Sequence, residues 1–258
     1  MEAHGSSADL SLTMKCVFCE RPSDSARVEH ILPESLGGKN WACLAPGLLC
    51  SSCNQYFGAK VESRALAGFP FLPFRLLLGI PSKHRRPPTL KTHIGTLRAS
   101  LIVGTIGLDP TSSAVEEGVV AGRITQVRIL AEPEDPLAVC RLLLKMGVET
   151  VASQSAADAC SPRFAAARSF ARHPKPGDQW WFLICCDHGR LFERFKRGVS
   201  ASQWAEGVSL STVEEQGAEM FHLRLLELSL ITPLEPMVLP DSSLERNEPD
   251  WRLFWVKA

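Results

Sequence analysis

The sequence predicts an α+β protein: a small, thiol-braced hairpin and helix at the N-terminus, followed by a larger unit of mixed helices and strands. Three observations carry that prediction. Two C-x2-C pairs, Cys16–Cys19 and Cys50–Cys53, have the spacing of sites in which four thiolates hold one zinc ion tetrahedrally and staple a fold too small for a large core. Farther on, Asp135-Pro136 opens an apolar run to residue 152, with the proline at a first helical turn, where its missing N–H has no intrahelical partner to lose. Near the C-terminal end, Phe221, Leu223 and Leu225 alternate with His222 and Arg224, the period of a half-buried strand.

Composition sets the bounds. A chain of 258 residues holds one large domain or a small one plus a medium one, and an apolar share of 45% is ordinary for a protein with a real core. Lys+Arg and Asp+Glu balance at 28 each, which excludes a global basic field. The balance hides a local excess: residues 63–108 carry Arg64, Arg75, Lys83, Arg85, Arg86, Lys91 and Arg98 and no acid, a stretch of +7. It reads as a phosphate-facing surface, or as a solvated stretch over which acids elsewhere fold. The N-terminus lacks the basic and apolar regions of a secretory signal, and no apolar run reaches the roughly 18 to 20 residues of a membrane span. A cytoplasmic, reducing setting is therefore expected, in which paired cysteines more often hold metal than form disulfides. Cys43, Cys140, Cys160, Cys185 and Cys186 fit best as small buried apolar residues.

Taken in order, residues 1–14 are small and polar and read as a disordered arm. Residues 15–68 form the thiol-centred unit. A knuckle-like turn at the first cysteine pair leads through Arg21-Pro22-Ser23-Asp24 into a short strand over 27–31. Gly37-Gly38-Lys39-Asn40 reverses the chain, and 41–44 returns antiparallel. Ser51 or Ser52 then caps a helix that begins near Asn54 and runs through residue 65. Proline density over 69–95 suggests a basic linker or irregular crossing. Residues 96–258 form the larger α+β unit, with strands over 97–103, 124–130, 179–186, 190–195 and 220–230, a helix over 137–152, and a short basic helix over 163–172.

Inside the two cysteine pairs lies Glu29-His30-x2-Pro33-Glu34-Ser35-Leu36-Gly37-Gly38, and Asn54 follows directly on Cys53, with Gly58 beyond it. Over about residues 15–62 this pattern resembles the zinc-bearing branch of the HNH endonucleases. The resemblance implies a ββα-metal, treble-clef-like nuclease domain with structural zinc on Cys16, Cys19, Cys50 and Cys53. His30 would then be the general base that takes a proton from the attacking water, since imidazole titrates near neutral pH. Glu29 and Asn54 would share the catalytic role as oxygen donors to Mg²⁺ or Mn²⁺, hard ions that suit them better than zinc does. A helix starting at Asn54 would also point free N–H groups at phosphate. Phosphodiester hydrolysis in DNA would leave a 5′-phosphate and a 3′-hydroxyl.

The chain departs from the family pattern in places. Many such nucleases carry histidine where Asn54 stands and another where Gly58 stands. Glu62 either steers a metal-bound water or pairs with Arg64 or Lys60 at the surface, the second being preferred. Glu29 and His30 are adjacent, so both serve one site only if their strand bulges or ends there; otherwise Glu29 is a buried partner of the hairpin. Lys39, Lys83, Arg85, Arg86 and Lys91 are candidate nucleic-acid contacts, and the helix bearing Arg163, Arg168 and Arg172 joins them if the second unit selects DNA. His84, His93, His173, His188 and His222 are assigned to no site, although His84 sits among basic neighbours.

No motif marks the larger unit. By analogy with similar fusions it would regulate the nuclease, through a ligand, a partner protein or a homodimer, in anti-phage defence or a mobile element. The alternative from another class is a zinc-stapled nucleic-acid-binding regulator that cuts nothing.

Overall fold

The computed structural model describes residues 14–38, 41–81, 86–100, 106–124, 132–197, 201–215, 217–236 and 251–258. The N-terminal arm, most of the strand expected over 124–130, and Lys39, Lys83, His84 and Arg85 lie outside those residues.

The expected hairpin is real but minimal. β1 (Glu29–His30) pairs antiparallel with β2 (Cys43–Leu44), with His30 opposite Cys43. The Ile31 N–H, donating to the Ala42 carbonyl at 2.8 Å, extends the pairing by one bond. The reversal needs its glycines. Gly37 takes the left-handed conformation, φ 80°, and a Cβ at Gly38 would collide with the Leu32 carbonyl.

The following helix starts earlier than its serines suggest. α1 (Ser51–Phe57) is capped by Cys50, whose Sγ accepts the Cys53 N–H at 3.4 Å. A π turn over Gly58–Glu62 continues into α2 (Ser63–Ala65). Residues 69–95 are not an irregular crossing. They contain α3 (Phe71–Leu78), with Phe71, Leu72, Phe74 and Leu76 buried; Pro70 sits at its N-cap and Pro73 within its first turn, where a missing N–H is tolerated. β3 (Thr89–Lys91) then pairs with β4 (Gly95–Ala99), and β4 with β5 (Ile106–Pro110), in a small antiparallel sheet. α4 (Ser113–Val120) follows, with Ser112 as its cap.

α5 (Pro136–Gln154) matches its expected span, with Asp135 accepting the Ala138 N–H. Every residue from Ala138 to Ala152 is buried, so α5 is a central strut and not a surface helix. The short α6 (Ala156–Ala159) and α7 (Ala165–Arg172) turn back along it. The main sheet comprises β6 (Gln179–Cys186), β7 (Val208–Glu215), β8 (Ala218–Leu225), β9 (Leu228–Pro233) and β10 (Trp251–Lys257), antiparallel throughout in the order β10-β6-β9-β8-β7. One strand expected over 220–230 is thus two, with Leu226 in the left-handed region, φ 59°, at the turn between them. The expected strand over 190–195 is a helix. α8 (His188–Arg197) precedes α9 (Ala201–Gly207), and its apolar residues Leu191 and Phe195, four apart, fit a helical stripe as well as a strand.

α5 packs on the main sheet, on α7, and on the helix and hairpin of the N-terminal unit. The buried apolar core therefore runs without a break from Cys16 through Phe57 and α5 to Phe221 and Val256. Among the described residues no helix is long and apolar enough to cross a membrane.

Candidate active site and thiol cluster

Backbone bonds bring the two cysteine pairs together. The Cys16 N–H donates to the Arg21 carbonyl, and the Val17 N–H donates across to the Leu48 carbonyl, both at 2.9 Å. The sulfurs of Cys16, Cys19, Cys50 and Cys53 all lie within 4.8 Å of one another, and Cys19 Sγ and Cys50 Sγ stand 3.7 Å apart. Four sulfurs about 2.3 Å from a tetrahedral zinc would be separated by roughly 3.8 Å, so the donor set fits that ion. The thiols also show the tension of close-packed acids. A hydrogen bond from the Cys53 thiol holds Cys16 far down, at about 4. Cys53 is pushed up, first by that bond and then by burial, and burial pushes Cys50 up. A divalent cation answers this arrangement, since thiolates rather than thiols are its ligands.

Behind the cluster, the start of α1 does not present Asn54 as free N–H groups. The Asn54 N–H already donates to the Cys50 carbonyl at 3.0 Å, and the Ser51 N–H donates to Asp24 Oδ1 at 3.1 Å. Asn54 is the fourth residue of the helix, so what it offers is its side chain.

β1 ends at His30, which meets the condition under which neighbouring side chains of a strand can serve one place. Glu29, His30 and Asn54 are all half-buried. Among the described residues neither the Glu29 nor the Asn54 side chain makes a hydrogen bond or ion pair, so each keeps its oxygen donors. Together with adjacent His30 they match the chemistry a hard cation and a base require. His30 itself is held at both ring nitrogens: Nδ1 is 3.6 Å from Cys43 Sγ and Nε2 is 3.3 Å from Glu34 Oε1. Cys43 was expected to be merely a small apolar residue. The cross-strand register, His30 opposite Cys43, is the signal that would have identified it.

Glu62 does not pair with Arg64 or Lys60. Its Oε1 lies 3.2 Å from Lys145 Nζ, whose second partner is Glu149 Oε2 at 2.8 Å. Arg141, Lys145 and Glu149 recur every four residues on α5, so they form one stripe, and that stripe meets the N-terminal unit: Arg141 Nη2 donates to Tyr56 Oη, Lys145 reaches Glu62, and Glu149 feels the charge of Glu29. All three side chains are buried. Burial pushes the Glu149 carboxyl up to about 7 against the pull of Lys145. Burial also works to lower Lys145, yet Glu149 and Glu62 hold it above its ordinary range. Charges spaced every four residues within an otherwise apolar helix were the overlooked sign of this seam.

The basic stretch is partly neutralised. Arg64 pairs with Asp135 at 2.7 Å, Arg98 with Asp109, and Arg75 is buried against the Leu66 carbonyl at 3.1 Å. Arg86 and Lys91 are exposed. The helix expected to offer Arg163, Arg168 and Arg172 to DNA does so only in part. Arg168 is buried, donating to the Ala159 and Ser161 carbonyls and to Glu20, and Arg163 is paired with Glu235 at 2.6 Å.

Residues 16–70 match the family model described as HNH endonuclease. The N-terminal unit is therefore an HNH domain with a cysteine cluster, followed by a strand-rich domain. No curated protein and no solved structure matches the chain.

Proposed function

We propose that the chain is a metal-dependent DNA endonuclease that hydrolyses phosphodiester bonds to 5′-phosphate and 3′-hydroxyl ends. One observation carries this reading: the HNH match spans the hairpin that bears Glu29 and His30 and the helix that bears Asn54, with the four thiols fastening one to the other. Mg²⁺ or Mn²⁺ held by Glu29 and Asn54 would supply the positive charge that phosphodiester hydrolysis needs on its oxygens.

His30 is the base. To accept a proton at Nε2 it must carry its own hydrogen on Nδ1, facing Cys43 Sγ. The Glu34 carboxylate, 3.3 Å from Nε2, then lies beside the imidazolium that forms and stabilises it. Arg86 and Lys91, exposed and cationic, suit contact with the DNA backbone, as do Lys39, Lys83 and Arg85 by sequence. The seam from α5 to Glu62 gives the strand-rich domain a route to influence the site, which supports a regulated effector of the kind found in anti-phage defence.

Supercoiled plasmid incubated with the purified chain and Mg²⁺ or Mn²⁺ tests the reading. Nicking is expected, falling by about 10²- to 10⁴-fold in His30→Ala with zinc content unchanged. Nicking that survives the substitution removes His30 as the base. Duplex binding without nicking under either ion favours a non-catalytic, zinc-stapled regulator.

A further inference from the structure

Tyr56 lies on α1 two residues beyond Asn54 and packs against the C-terminal end of α7. Arg141, 8% exposed, fastens the two: its Nε donates to the Ala171 carbonyl at 2.9 Å, and its Nη2 to the Arg172 carbonyl at 2.7 Å and to Tyr56 Oη at 2.8 Å. The guanidinium carbons of Arg141 and Arg172 both stand 5.7 Å from the Tyr56 ring centroid. The His173 ring lies 4.8 Å from the same ring.

Three nitrogen-bearing side chains thus surround one phenol, and among the described residues none of them pairs with a carboxylate. Buried Arg172 Nε has no partner. Burial and the two guanidiniums lower the pKa of His173, with no acid opposing them, which independently marks the place as lacking counter-charge. Tyr56 Oη accepts from Arg141, so its own hydrogen remains available to donate. Arg172 is half-buried and His173 exposed, which leaves the cluster open to solvent. Concentrated positive charge with convergent donors and no internal acid matches a phosphate oxyanion.

We propose that Arg172, His173 and the Tyr56 hydroxyl, fixed from behind by Arg141, form a phosphate-binding site. The phosphate is a backbone group of duplex DNA, engaged on the flank of α1 away from Asn54, or a free phosphate or nucleotide. The DNA source rests on the endonuclease reading; the site itself does not.

The test uses the full zinc-loaded chain carrying His30→Ala, without Mg²⁺ or Mn²⁺, so cleavage plays no part. Binding of a labelled duplex is followed by fluorescence anisotropy across a salt series, and inorganic phosphate is titrated separately while the His173 ring resonance is followed by NMR. With DNA as the source, Arg172→Gln lowers the slope of log affinity against log salt by about one unit. With free phosphate as the source, that slope is unchanged and phosphate shifts the His173 resonance in the parent but not in Arg172→Gln. An unchanged slope together with an unmoved resonance overturns the proposal. Should Arg172→Gln fail to fold, His173→Gln takes its place in both arms, with loss of the slope change or of phosphate-protected melting as the readout. Neither arm measures nicking, so a chain that fails to cut plasmid can still confirm the site, and one that cuts can still refute it.

Discussion

The HNH unit and the strand-rich domain solve the same stability problem by different means. In the first, strands of two residues and a seven-residue helix bury too little apolar surface to hold themselves, and the four clustered sulfurs supply what the core lacks. In the second, a nineteen-residue helix buried on all sides lies against five strands, so apolar packing suffices. The two meet at α5, where the contact is charged: Lys145 is shared between Glu62 of one unit and Glu149 of its own helix. A metal-braced unit can be built from few residues, but it depends on one ion. Its attachment by a buried ion network makes its position sensitive to a single proton or side chain.

The largest expected effect separates the two means of stabilisation. Cys53→Ala removes a ligand from a site class whose zinc contributes about 10 to 16 kcal/mol. Hydrogen exchange should then show the amides of residues 15–65 opened while those of β6, β8 and β9 remain protected. Loss of protection in both regions together would make them one cooperative body. Next comes the seam. Lys145→Met leaves Glu62 and Glu149 without their cation and should destabilise the chain by about 3 to 5 kcal/mol in urea unfolding. Lys145→Met combined with Glu149→Leu should recover much of that loss, and a double variant no better than the single would show that Glu62 carries the seam.

A smaller effect concerns pH. Burial raises the Glu149 carboxyl from 4.5 to about 7, so the folded chain holds a proton that the unfolded chain releases. Its contribution to stability is fully present below 4.5 and is lost as pH rises through about 7. Glu149→Gln should flatten the fall in urea midpoint across that window; an equal fall in both proteins would place the titration elsewhere. The smallest effect is a gain. Gly58 has helical backbone angles and open space where a Cβ would stand, so Gly58→Ala should stabilise by about 0.4 to 1 kcal/mol, read as a higher melting temperature.

Much of this was legible in the residues, for reasons that differ by element. The thiol pairs were readable because zinc accepts few ligand spacings, and α5 because Asp135-Pro136 marks its start and its apolar residues continue unbroken. The reversal at Gly37-Gly38 was readable because a left-handed turn and a close carbonyl exclude side chains. The errors arose where a short pattern fits two periods. Residues 190–195 alternate plausibly as strand yet fold as helix, and proline density concealed α3 because prolines at a helix start do no harm. The start of α1 was missed because a cysteine sulfur, not a serine hydroxyl, caps it.

The sequence by itself determined the local chemistry: which residues can bind zinc, which imidazole can act as a base, and where glycine is obligatory. Each of those follows from one side chain or one backbone angle. Only the tertiary structure decided the pairings between distant residues: Cys43 and Glu34 around His30, Lys145 against Glu62, Arg168 turned inward, and Arg141 with Arg172 about Tyr56. Such contacts depend on how α5 and α7 pack against the HNH unit, and residues far apart in the chain acquire their partners only when burial brings them together.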